Sequence, residues 1–148
     1  MVPAAVAGAG GAVRRSPPNG LPMPHRPRVR RLTESELDRY DLVPRWVARR
    51  AILVRVPFLP AGAAGLTSGR VVFLCRDEPM DGSSALIAHE LVHVRQFVEM
   101  GRAWFLARYL WDYGRNLARL RNHQRAYLAI AQEQEAYASA GAWHRLQT

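Results

Sequence analysis

Between Ser84 and Gly101 no proline or glycine interrupts a helical repeat, and the apolar residues of this stretch fall on two stripes rather than one. One stripe reads Leu86, Glu90, His93 and Phe97, with His89 beside it. The other reads Ile87, Leu91, Val94 and Val98. A helix that is largely apolar on both faces has to be covered on both. The segment is therefore expected to run through the middle of the domain, capped by Ser83 or Asp81 and ended by Gly101.

The remaining pattern supplies layers for that helix to pack against. Thr33-Glu34-Ser35-Glu36 has the capping-box form and predicts a short helix through Tyr40, and Pro44 suits the first turn of a second, through Arg50. Ile52 to Val56 is dense in β-branched residues and reads as a strand. Arg70 to Cys75 reads as another, antiparallel to the first across a loop punctuated by Gly62, Gly65 and Gly69. Beyond Gly101, one helix is expected over Trp104–Arg121 and a last one over Arg125–Ser139. The fold class is α+β, a small antiparallel strand pair or sheet packed on a central helix with two further C-terminal helices. Residues 1–30, crowded with Pro, Gly and Arg and without apolar periodicity, are expected to form a disordered tail ahead of a domain over residues 31–148.

Composition narrows the function. The net charge of +9 comes from 21 basic against 12 acidic residues, and every basic residue is Arg. No fingerprint of a nucleic-acid fold accompanies them, so nucleic acid is not the expected partner. Cys75 is the only cysteine, which rules out an intramolecular disulfide and a thiolate-rich zinc site. Neither Met1–Val13 nor Val56–Gly69, the longest uncharged runs, reaches the ~18–20 apolar residues of a membrane span. Without an ordinary secretory signal, the expected location is the cytoplasm.

The chemistry lies in His89-Glu90-Leu91-Val92-His93. Two His four positions apart on a helix stand one turn above each other and can meet one ion. A Glu directly after the first His is placed to take a proton from a metal-activated water. A catalytic zinc takes three protein ligands and leaves one position open, so a third ligand has to come from elsewhere. Glu133 and Glu135 are candidates, and since residues two apart on a helix diverge, only one of them can face the ion. His123 is a further competitor.

On these residues the chain resembles the gluzincin clan of zinc metallopeptidases, in particular the small bacterial minigluzincins. The likeness rests on Ala88 to Gln96, on Ala126 to Ala136 and on Gly65 to Leu74, and spans about residues 42–138. It implies His89, His93 and Glu133 as Zn2+ ligands and Glu90 as general base, with a peptide or protein substrate lying beside the strand Arg70–Cys75. The chain departs from the pattern at Tyr137, which stands where the clan carries an Asp behind a ligand His. Tyr113, Tyr127 and His123 are the candidates for stabilising a developing oxyanion. The expected activity is zinc-dependent peptide-bond hydrolysis. The alternatives are a catalytically silent zinc-containing binding module, or a basic adaptor holding an anionic partner through its Arg-rich tail. So short a chain also has room for an assembly partner.

Overall fold

The computed structural model describes residues 2–4 and 28–147. Five strands, β1 (Val2–Ala4), β2 (Val29–Arg30), β3 (Ile52–Arg55), β4 (Gly65–Ser68) and β5 (Val71–Leu74), form one sheet in the order β1-β4-β5-β3-β2. Around it lie α1 (Glu34–Arg39), α2 (Arg45–Arg50), α3 (Ala85–Met100), α4 (Arg102–Leu120), α5 (His123–Leu128) and α6 (Ala131–Gln147). The class is α+β, as the sequence predicts. Of the tail expected over residues 1–30, Val2–Ala4 and Val29–Arg30 lie in strands, and residues 5–27 lie outside the described residues.

Two expectations need correction. The strands over 52–55 and 71–74 are neighbours, but they run parallel, Ile52 opposite Val71 and Arg55 opposite Leu74. The reason is β4, hidden in what reads as a glycine loop. It pairs antiparallel with β5 through the two-residue turn Gly69-Arg70, where Gly69 adopts φ +64°, and this leaves β3 the opposite flank of β5. The sheet is thus mixed. The second correction concerns the last helix, which breaks at Ala129-Ile130, so three helices follow α3 rather than two. Ile130 at the break is fully buried against Phe97, Phe105 and Tyr109, and that packing holds the bend without a proline or glycine.

Helix α3 is the centre of the molecule. Ser84, not Ser83 or Asp81, caps it, its hydroxyl accepting from the Ile87 amide at 3.1 Å. Leu86, Ile87, Ala88, Leu91, Val92 and Val94 are buried between Leu53, Val72 and Leu74 of the sheet, Leu37 and Val47 of α1 and α2, and Ala136, Ala140 and Trp143 of α6. Two side-chain contacts close the shell. The capping box Thr33/Glu36 forms as its spelling requires, and the buried Glu36 also takes a two-pronged bond from Arg30 at 2.7 and 3.0 Å, fastening β2. At the other end the Trp143 indole donates to the Arg39 carbonyl at 2.8 Å, latching α6 onto α1. Cys75 is a free, half-buried thiol whose Sγ lies 3.4 Å from the Ala63 carbonyl. Among the described residues no helix is long and apolar enough to cross a membrane.

Candidate metal centre

His89, Glu90 and His93 sit in the middle of α3 and Glu133 in the first turn of α6, all four buried. The α3 and α6 helices pack face to face, and their small residues (Ala88, Ala136, Ala140) let them approach closely enough for the side chains to meet. The two histidine Nε2 atoms are 3.1 Å apart. Each faces a different oxygen of Glu133, His89 at Oε2 and His93 at Oε1, both at 3.4 Å. Ligands on a tetrahedron with metal bonds of ~2.0–2.1 Å lie roughly 3.3–3.4 Å from one another, so the three groups have the spacing of a shared cation.

The surroundings fix which atoms point inward. The Gln96 amide nitrogen donates to the Gln132 carbonyl at 3.1 Å and to Glu135 at 2.9 Å, so its oxygen is the atom 2.9 Å from His93 Nδ1. His93 must therefore carry its proton on Nδ1, and its Nε2 is left with a bare lone pair facing Glu133. This is the tautomer a metal ligand needs. The Tyr109 hydroxyl donates to Glu133 Oε1 at 3.1 Å and orients that carboxylate. Glu133 Oε2 is buried with no hydrogen-bond partner, an orphaned acceptor of the kind a cation satisfies.

Electrostatics agree with the geometry. Burial pushes the Glu133 carboxyl up, but the His89 and His93 imidazoles beside it outweigh this and hold it down at about 2. Burial also works against a proton on His93, yet the neighbouring Glu133 overcomes it and raises the group, whereas His89 is lowered, chiefly by burial. Glu90 differs from Glu133 because no imidazole bonds to it. Burial lifts it to about 7, opposed only partly by His93 and by the Thr67 hydroxyl. A carboxyl poised there can accept and return a proton near neutrality.

Strand β4 supports Glu90 from below. The Thr67 hydroxyl donates to Glu90 Oε2 at 2.6 Å, and Glu90 Oε1, itself without a partner, presses against Gly65. A Cβ at Gly65 would fall 2.5 Å from that oxygen and 3.0 Å from Leu86 Cδ1. Gly65→Ala is accordingly expected to cost about 1–3 kcal/mol by overpacking. The same change in a Glu90→Ala background should cost clearly less, and paired thermal melts of the four proteins measure the difference.

Of the other residues singled out by sequence, Glu135 points away. It is half exposed, pairs with Arg95 and accepts from Gln96, so it touches the site only through that amide. His123 is bonded to the Tyr113 hydroxyl at 2.7 Å in an exposed position, and neither belongs to the cluster. Tyr127 does approach it, its hydroxyl raised by burial and by the Glu133 charge. Tyr137 lays its ring 4.4 Å from that of His89, with a hydroxyl pushed up to about 12 by burial and then by Glu133. The strand expected beside the substrate, Arg70–Cys75, is interior to the sheet, and β4 is the strand between β5 and β1 that packs on α3. Gln96 and Tyr109 went unrecognised in the sequence. Gln96 could have been found from its place one turn after His93, but Tyr109 looks like any residue of a buried helix face.

Among the described residues His89, His93 and Glu133 form the one group able to hold a metal ion. A family model described as the eCIS core domain matches residues 59–100, which run from the turn before β4 to the end of α3 and include both histidines and Glu90 but not Glu133. No curated protein and no solved structure matches the chain.

Proposed function

We propose that this protein is a zinc-dependent peptide-bond hydrolase. The observation that carries the reading is the convergence of two imidazoles and a buried, ionised carboxylate at 3.1–3.4 Å, with a second carboxyl, tuned to about 7, on the same helical turn. Two buried acids facing two imidazoles make an electronegative pocket. A dication compensates it better than a proton does. The donor set, two nitrogens and one carboxylate oxygen, fits zinc with an open position. Zinc held there would supply Lewis acidity and lower the pKa of a coordinated water to about 7.

The chain's own residues do the rest. Glu90, held by Thr67, takes the proton of the attacking water and passes it to the leaving amine. Gln96 keeps His93 in the ligating tautomer, and Tyr109 keeps Glu133 turned inward. Tyr127 and Tyr137, with their raised pKa values, remain protonated donors beside the site and suit a developing oxyanion. The match of residues 59–100 to a family named for the core of extracellular contractile injection systems supports a protein-assembly setting, and with it a protein rather than a small-molecule substrate. The direct test is to incubate the zinc-loaded protein with a mixed peptide pool and count new amino termini. Cleavage that stops on chelation and resumes on adding zinc is expected. A protein that binds one zinc per chain and cleaves nothing would be the silent module instead, a reading favoured by Tyr137 standing where a charged acceptor would tune a ligand.

A further inference from the structure

Helix α4 has a buried side and an exposed side, and the exposed side is not built of residues that water favours. Trp104, Leu110 and Trp111 are 65%, 64% and 71% exposed. At roughly 100° per residue they fall with Ala107, Gly114 and Ala118 on one continuous arc of about a third of the helix surface. Along one margin of that arc run Arg108, Arg115 and Arg119, all exposed. Phe105, Tyr109, Asp112 and Asn116 form the buried side, where Tyr109 bonds Glu133. Between Gly101 and Gln132 the chain carries Arg102, Arg108, Arg115, Arg119, Arg121 and Arg125, and Asp112 is the one acid among them. That acid is buried and bonded by Arg115 at 3.4 Å. Trp104, Arg108, Trp111 and Arg115 line one surface hollow. Single exposed apolar residues are ordinary, but two indoles and a leucine on one arc make a patch of the kind that marks a binding face.

We propose that this face of α4 docks on an anionic phospholipid surface, the helix lying flat with Trp104, Leu110 and Trp111 among the headgroups and the Arg row on the phosphates. The layout is one-sided, apolar along the helix and basic along its margin. A planar interface with an apolar interior and a charged skin calls for that layout. Indoles settle at such an interface because the ring is apolar and its N–H is not. Arginine stems can lie along the apolar arc while their guanidinium groups reach outward. A second copy of the same face would bring like charges together, with six Arg against one Asp on each side. A nucleic acid would match the charge but has no use for Leu110 or for the small residues between the indoles. The inference does not depend on the hydrolase reading.

The test sediments the full chain, in chelator, with vesicles of phosphatidylcholine alone or of equal parts phosphatidylcholine and phosphatidylglycerol. Binding to the mixed vesicles is expected, far weaker binding to the neutral ones, and a decline as salt rises. Trp104→Ser/Trp111→Ser should lower the partition coefficient by at least about tenfold. Arg108→Gln/Arg115→Gln/Arg119→Gln should lower it by about a hundredfold, at roughly fivefold for each arginine near such a surface. Trp46→Ser, an exposed indole on α2, should change nothing. A second measurement spares the α4 face altogether: in the Trp46→Ser chain, lipid brominated near the headgroup should quench the remaining indole fluorescence. Residues 14–31 hold six Arg and no Trp, so vesicle binding that survives loss of Trp104 and Trp111 would lie there and overturn the proposal. Bound protein without quenching would overturn it too. Trp-dependent retention by poly-glutamate or duplex DNA that exceeds retention by vesicles would assign the face to a macromolecular anion and reject the membrane.

Discussion

Glu90→Gln is expected to lower the rate of hydrolysis by about 10²–10⁴-fold, the usual contribution of a positioned general base, while leaving zinc content unchanged. The same substitution should make the zinc-free protein more stable at pH 8. The sign follows from proton binding. Burial raises the Glu90 carboxyl to about 7 from an ordinary 4.5, so between those values the folded chain holds a proton that the unfolded chain has released. The stabilisation from Glu90 is thus fully present below pH 4.5 and is lost as the pH rises through 7, a loss of about 3 kcal/mol at 1.36 kcal/mol per unit. Gln has no such proton to lose. Calorimetric melts in chelator should give similar midpoints for the two proteins at pH 4.5 and a higher midpoint for the variant at pH 8, by roughly 6–12 °C at about 2–4 °C per kcal/mol. A variant that loses activity and is also less stable at pH 8 would mean that Glu90 serves packing and not proton transfer.

That trade of stability for a poised carboxyl was legible in part. His89, Glu90 and His93 announce themselves by spacing, because a helix fixes which residues share a turn. The centrality of α3 is equally plain from its two apolar stripes, and Thr33/Glu36 spells its own cap. The pieces that escaped are those decided by tertiary contact. β4 reads as loop because Gly65-Leu66-Thr67-Ser68 has little strand propensity of its own. It becomes a strand because Gly65 is the residue that fits under Glu90 and Thr67 the one that bonds it. The parallel pairing of β3 and β5 follows from that hidden strand. The bend at Ala129-Ile130 has no breaker residue and is held by the burial of Ile130. Local pattern could therefore propose both Glu133 and Glu135 but not choose between them, since the choice depends on the angle at which α6 leaves that bend.

That choice has a large and separable consequence. Glu133 presents both oxygens to the imidazoles from full burial, whereas Glu135 is half exposed and reaches the site only through the Gln96 amide. Residues that merely orient a ligand typically change metal affinity by 10–100-fold, and a ligand should matter more, so Glu133→Gln is expected to weaken zinc binding by more than about 100-fold. Glu135→Gln should change it by less than about 10-fold, while costing at most about 1 kcal/mol for the exposed pair with Arg95. Competition titration against a chromogenic chelator measures the first effect. Thermal melts measure its coupling to folding: zinc at about 100 times its dissociation constant stabilises by roughly 2.7 kcal/mol, or about 5–10 °C for a chain of this size. The unaltered protein and Glu135→Gln should both show that shift and Glu133→Gln should show none. If the two variants behave alike, or if the shift survives Glu133→Gln, the cation is not held between α3 and α6, and Glu90 has no activated water from which to draw its proton.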